Sequence, residues 1–494
     1  MSGQSHDIAI IGGGVNGAGI ARDAAGRGAR VLVLEAGDLA CGTSSASTKL
    51  IHGGLRYLEY YEFALVRESL QERDVILRIA PHLAHRMRFV LPHVSSLRPR
   101  WMLRAGLFIY DHLGGLKAGS GWPNARSVRM SQHPAGAPLR DGIGHGFEYS
   151  DGWIDDARLV VLNARDAADK GAVVQTRTAL IAARREGAQW VLETSQGTVR
   201  TSALVNAAGP AADDVARLCG EEPAFGLRRV RGSHIITRKL FDHSYAYIFQ
   251  MPDTRIVFAI PYEDDFTLIG TTDRDHTGAL VDVGAAEDEV AYLCEAASQY
   301  FRQPVTSADV VSTYSGVRGL IDDGSGKPEA ATRGYRLSLS DEGKGAPLLG
   351  VWGGKITTYR HLSEAATDLL ATRVPALTGP AWTATKPLPG GDFPADALSD
   401  LAETLESEYG FLSDRDAARI ARSYGTLAMQ WLGKARTRAD LGRDFGAGLS
   451  ESEVEYLKAR EWAVCADDVL WRRTKLGLHM TEAERAALAD FMGG

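Results

Sequence analysis

The apolar run Asp7-Ile8-Ala9-Ile10-Ile11 ends in glycines, is followed by a helical pattern over residues 16–27, and leads to a second apolar run, Arg30-Val31-Leu32-Val33-Leu34, closed by Glu35. Strand, tight glycine turn, helix and strand in that order are the opening of a parallel βαβ unit. Gly12, Gly14 and Gly17 have the GxGxxG spacing at the strand-to-helix turn. In this pattern the first glycine permits the turn, the second lets backbone approach a pyrophosphate, and the third allows close helix packing. The helix amino terminus then presents free N–H groups and a positive dipole end to that anion. A carboxylate at Glu35 can accept hydrogen bonds from ribose hydroxyls and would repel a phosphorylated ribose, which disfavours NADP. The fingerprint predicts a cofactor carrying ADP and leaves NAD and FAD both open.

At 494 residues the chain exceeds what one hydrophobic core serves, so two or three domains are expected. The strand-glycine-helix grammar recurs at residues 203–218 and 347–370, and residues 61–79 read as a helix stopped by Pro81. Between the recurrences lie alternating β-rich stretches with turns at Pro252-Asp253 and Glu263-Asp264-Asp265, the pattern of an antiparallel sheet. The fold class is therefore α/β. A Rossmann-like nucleotide domain is expected from separated pieces, residues 1–80, 145–220 and 340–375. An inserted antiparallel-sheet substrate domain is expected from residues 81–144 and 221–339. A proline- and glycine-rich linker (376–396) leads to a helical domain (397–494) with no strand-like run and no chemistry of its own.

A net charge of -7 argues against nucleic acid as a partner. The four cysteines, Cys41, Cys219, Cys294 and Cys465, form no CxxC pair, so neither a disulfide framework nor a metal site is expected. No apolar run approaches the roughly 18 residues of a membrane span, and the first residues lack the pattern of a signal peptide. The cytoplasm is the default location.

Soon after Glu35 comes a run of small hydroxyl residues, Thr43, Ser44, Ser45, Ser47 and Thr48, able to donate to phosphate oxygens and to a flavin ring while permitting close approach. The next block, residues 49–59, reads Lys-Leu-Ile-His-Gly-Gly-Leu-Arg-Tyr-Leu-Glu. With 146–151, 231–234, 269–273, 313–318 and 353–360, it resembles the FAD-dependent respiratory glycerol-3-phosphate dehydrogenases, within the D-amino-acid-oxidase-like flavoproteins. These blocks occur in order over about the first three quarters of the chain. The resemblance implies FAD as cofactor. It implies oxidation of sn-glycerol 3-phosphate to dihydroxyacetone phosphate, with electrons passed to a membrane quinone. It also implies peripheral attachment to the inner face of the cell membrane, and leaves room for a homodimer.

Carried over residue by residue, the resemblance implies a substrate site of Arg56, Tyr57, Thr271, Arg318 and Lys355. That agrees with chemistry, because a phosphate monoester calls for fixed cations and the arginine fork suits it. Removing the hydroxyl proton needs a base; His52 and His234 are the histidines inside matching blocks, and which of them acts is open. Arginine stays protonated, so Arg318 is assigned to binding and charge stabilisation. Gly354, Lys355 and Thr357 at another strand-to-helix turn, and Gly209 at a third, are expected beside the cofactor. Residues 97–116 place Trp101, Met102, Leu107, Phe108 and Ile109 beside Arg98, Arg100, Arg104 and Lys117, which suits either an interfacial helix or one buried between domains. Three alternatives stay open: an oxidase releasing hydrogen peroxide, an amino-acid oxidase, and a flavoprotein without turnover.

Overall fold

The structure is a computed structural model describing residues 5–94, 97–114, 121–253, 255–322, 334–340 and 345–493. Lys117 and part of the segment 221–339 lie outside these residues.

The opening fingerprint folds as a βαβ unit. Strand His6–Ile11 pairs in parallel with Val31–Leu34 on one side and with Gly197–Asn206 on the other. Gly197–Asn206 pairs in parallel with Leu348–Gly353, and Val31–Leu34 with Val173–Gln175. Five strands from separated parts of the chain thus form one parallel core, joined by antiparallel Tyr335–Ser340 and by the ribbon Leu180–Glu186 and Gln189–Thr194. Alternate residues of His6–Ile11 explain why the run is apolar throughout. Ile8 and Ile10 pack with Ile20, Ala24, Leu362 and Leu370 of the helices on one face. Ala9 and Ile11 pack with Trp190, Leu192 and Leu204 on the other. The sheet is buried on both sides.

The second sheet is mostly antiparallel. Its path runs Arg274–Asp275, Leu227–Arg238, Phe266–Gly270, Ile256–Tyr262, Ala246–Gln250, Ala84–Pro92, His145–Ile154 and Leu50–Ile51. Val310–Ile321 is added beside Leu227–Arg238, and Arg126–Arg129 beside His145–Ile154. The expected turns at 252–253 and 263–265 join antiparallel neighbours. Leu50–Ile51 and His145–Ile154 lie in this sheet and lead directly into loops of the first, so the chain crosses between sheets near residues 43–50 and 155.

Residues 398–492 are largely helical, built around Leu405, Ile420, Tyr424, Val454 and Leu457. The expectation of no strand here is corrected by a short hairpin, Asp444–Gly446 with Leu449–Ser450. It is too short to show an alternating pattern and turns on Gly446 and Gly448, both at positive φ. This helical unit is fastened to the rest by a fully buried ion pair between Arg158 and Glu461, in which Arg158 also donates to the Ser423 carbonyl.

Candidate active site

The site begins at the glycine turn. Gly12 has φ of +112°, and a Cβ there would lie 2.6 Å from the Ala207 carbonyl oxygen. A Cβ on Gly17 would stand 1.9 Å from the Gly12 carbonyl oxygen, so the first and third glycines are required by packing alone. Gly14 precedes helix Val15–Gly26 with no side-chain cap of its own; Ser44 Oγ accepts from Val15 N at 3.0 Å instead. Glu35 ends its strand as expected and folds back, accepting from Gly13 N at 2.6 Å and Gly37 N at 2.7 Å. Each carboxylate oxygen has a second lone pair, which leaves acceptor capacity for ribose hydroxyls.

The hydroxyl run does not act as one surface. Thr43 Oγ1 donates to the Val317 carbonyl, which ties the loop to the second sheet. Ser47 donates to Asp156 Oδ2 at 2.7 Å, and Lys49 Nζ donates to Asp156 Oδ1 at 2.7 Å and to Ser45 O at 3.1 Å. Thr48 Oγ1 meets His234 Nε2 at 2.9 Å. Neither the buried Lys49–Asp156 pair nor its role as the loop's anchor was legible in the sequence, because the partners are 107 positions apart. Ser44 is the member of the run that stands at the helix amino terminus.

The turn after Leu348–Gly353 comes onto the same helix end. Gly354 has φ of +95°, and a Cβ there would lie 3.5 Å from Asn16 Nδ2. Asn16 Oδ1 is buried with no hydrogen-bond partner. A helix end whose cap residue has no side chain, a glycine cradle and a polar atom lacking a partner meet at one place, which fits a polar cofactor that supplies further contacts. Gly209, at φ of +58°, stands in the third turn with open space at its Cβ position. Thr357 is buried, its Oγ1 accepting from His52 N at 3.3 Å.

The block 52–57 depends on two glycines. A Cβ on Gly53 would lie 2.8 Å from both Leu70 and Tyr110, and Gly54, at φ of +80°, lies under the Tyr57 ring. The Lys355 ammonium stands 5.0 Å from the centroid of that ring, which joins two of the expected substrate residues. Gly53 N donates to Tyr110 Oη at 2.8 Å, and Tyr110 donates to Asp151 at 2.6 Å. Burial pushes the Asp151 carboxyl up to about 6, against the pull of Arg73 and Tyr110. The sequence places Tyr110 in the segment 97–116 and Asp151 in the matching block 146–151 but gives neither a role in the site.

Arg318 and Thr271 converge. A Cβ on Gly232 would lie 2.5 Å from Arg318 Nη2 and 2.8 Å from Thr271 Oγ1. Arg318 also donates to Thr272 O at 3.0 Å and pairs with Asp273 at 2.7 Å. The His52 ring meets Phe258 edge-on at 6.4 Å, and Phe258 is the register partner of Gly270, next to Thr271. His234 is enclosed differently. Its ring stacks on Tyr314 at 4.7 Å, and its edge fills the space above Gly270 that a side chain would occupy. Burial, then the nearby Lys49 and Arg318 cations, hold its pKa well below the usual histidine value. The structure therefore separates the two histidines that the sequence left equal.

The family described as FAD dependent oxidoreductase matches residues 7–360, and that described as C-terminal domain of alpha-glycerophosphate oxidase matches residues 381–492. A glycerol-3-phosphate dehydrogenase of Pseudomonas aeruginosa is 49% identical over 99% of this chain and 95% of its own length. The chain belongs to the FAD-dependent glycerol-3-phosphate dehydrogenase family. A D-erythritol 1-phosphate dehydrogenase of Brucella abortus is 48% identical, covering 99% of this chain and 98% of its own. The Bacillus halodurans glycerol-3-phosphate dehydrogenase structure, complexed with FAD, aligns with a TM-score of 0.76 at 24% identity, covering 100% of this chain and 94% of that one. That likeness establishes the fold: both sheets and the carboxy-terminal helical unit. FAD is thus the cofactor of this dehydrogenase.

Helix Arg100–Leu113 turns Leu103, Leu107 and Tyr110 inward, while Trp101 is 74% and Phe108 55% exposed. This decides against the reading of a helix buried between domains. Among the described residues, no helix is long and apolar enough to cross a membrane.

Proposed function

We propose that this dehydrogenase oxidises the secondary hydroxyl of sn-glycerol 3-phosphate to the ketone of dihydroxyacetone phosphate. The observation that carries this reading is the convergence of Arg318 and Thr271 at Gly232, with His52 across the neighbouring strand from Gly270. The Gly12–Gly17 turn, Ser44, Glu35 and the Gly354 turn would hold FAD, which when bound would supply the hydride acceptor. His52 takes the hydroxyl proton, so that proton and hydride leave the same alcohol and a carbonyl remains. Arg318 donates to the oxygen as negative charge gathers on it. Arg56 and Lys355 hold the phosphate, with Tyr57 fixing the Lys355 ammonium. His234, enclosed against Tyr314 and Gly270, is given the role of holding Thr48 in position.

The electrons pass to a membrane quinone. In support, the exposed Trp101 and Phe108 stand on a helix beside exposed Arg100 and Arg104, as suits a segment seated in the interface of an anionic membrane's inner face. A second reading, oxygen as acceptor with release of hydrogen peroxide, has the match of residues 381–492 to the oxidase-named family in its favour.

The test is anaerobic mixing of the holoprotein with sn-glycerol 3-phosphate, its enantiomer or D-erythritol 1-phosphate, following flavin absorbance. Rapid bleaching by the first alone is expected. Faster bleaching by the erythritol ester would reassign the substrate. Admitting oxygen or a soluble quinone afterwards separates the acceptors, and stoichiometric peroxide would overturn the quinone reading.

A further inference from the structure

The helical unit at the carboxy terminus, which the sequence credited with no chemistry, touches the cofactor cradle through a charge chain whose Asp38, Asp468 and Arg473 are buried. Asp38 is 3% exposed and accepts a two-pronged bond from Arg473, at 2.7 Å from Nη1 and 2.8 Å from Nη2. Arg472 Nε donates to the same carboxylate at 2.5 Å. Arg177 then donates to Asp468 at 2.8 Å, and Arg472 pairs with Asp468 as well. Charges therefore alternate from Arg177 through Asp468, Arg472 and Asp38 to Arg473. Asp468 and the two arginines belong to one turn, Asp468–Arg473, 430 positions or more from Asp38.

What Asp38 anchors is the loop after Glu35. Gly37 N donates to Glu35 Oε1, Ala40 N donates to the Gly13 carbonyl at 3.1 Å, and Arg177 N donates to the Gly37 carbonyl at 2.8 Å. The loop thus lies between the glycine turn and the arginine pair, with Glu35 held against Gly13. We infer that Arg473 and Arg472 are positioning residues for FAD: they fix Asp38, and through it the Glu35 carboxylate and Gly13, at the adenosine end of the site. The inference rests on the proposed assignment of Glu35 and the glycine turn to the cofactor. A two-pronged arginine suits this task because it sets orientation as well as distance.

The test is release of FAD on dilution of the full-length holoprotein, read by flavin fluorescence, with KM for sn-glycerol 3-phosphate and Tm measured on the same samples. Arg473→Met is expected to weaken FAD binding at least tenfold while KM changes less than twofold. Arg473→Lys, which keeps charge and loses the fork, is expected between the two. Asp38→Asn and Arg472→Gln serve if Arg473→Met does not fold, and each is expected to weaken FAD several-fold. Arg419→Met breaks a buried pair with Glu453 inside the same helical unit, away from Asp38, and is expected to lower Tm with FAD affinity unchanged. Unchanged FAD affinity in the Arg473 and Asp38 variants, or an equal loss in Arg419→Met, would overturn the positioning role. FAD affinity unchanged in Glu35→Gln would instead overturn the cofactor assignment on which the inference rests.

Discussion

His234 Nε2 lies 2.9 Å from Thr48 Oγ1, so a strand of the second sheet grips the loop that leaves the first. The contact joins two parts of the molecule that meet where substrate and cofactor must also meet. His52→Gln is expected to lower kcat about 10²–10⁴-fold, the usual worth of a general base, and to abolish the acidic limb of the kcat/KM profile. His234→Gln is expected to keep that limb. If the limb vanishes in the His234 variant, the roles are reversed.

Arg318 is fixed by Thr272 O and Asp273, which aims a planar fork past Gly232. Lysine keeps the charge without the fork. Arg318→Lys is expected to reduce kcat/KM by about 10–100-fold, corresponding to about 1.5–3 kcal/mol for a lost charge-assisted hydrogen bond. Steady-state kinetics with unchanged flavin content would check it.

Burial pushes the His82 imidazole down to about 3, with Arg158 adding to the effect, and His234 is lowered for the same first reason. Both are neutral in the folded chain and take protons below pH 6.5 when unfolded. The unfolded state then binds more protons, so stability falls as pH drops below about 6.5. Each such group contributes a slope of up to about 1.4 kcal/mol per pH unit until its folded pKa is reached. Denaturant melts from pH 7 to 4.5 should show a shallower slope for His82→Phe than for the natural chain.

The exposed face of helix Arg100–Leu113 should matter on membranes and not in solution. Trp101→Ser with Phe108→Ser is expected to reduce sedimentation with anionic vesicles at least fivefold, with turnover of a soluble acceptor retained. Equal sedimentation of both forms would remove this helix from the membrane reading.

Arg158 and Glu461 are both fully buried and join the helical unit to helix Asp156–Asp169. Removing one partner strands a charge. Arg158→Met is expected to cost about 3–5 kcal/mol of stability, read as a lowered denaturation midpoint. Changing both residues to apolar partners should recover part of that loss.

The sequence by itself determined the βαβ opening, the cradle glycines and the family, because each rests on local order: an apolar period, a turn that admits only glycine, a short block of chemistry. It also placed the two hairpin turns of the second sheet, whose strands are neighbours in the chain. Tertiary structure alone decided which hydroxyls face the helix end, which histidine is enclosed, and what the last hundred residues touch. The Lys49–Asp156, Arg158–Glu461 and Asp38–Arg473 pairs span 107, 303 and 435 positions. Two side chains that meet only after the sheets close leave no periodic trace in the chain, and burial, which makes such pairs consequential, exists only once the core has formed around them.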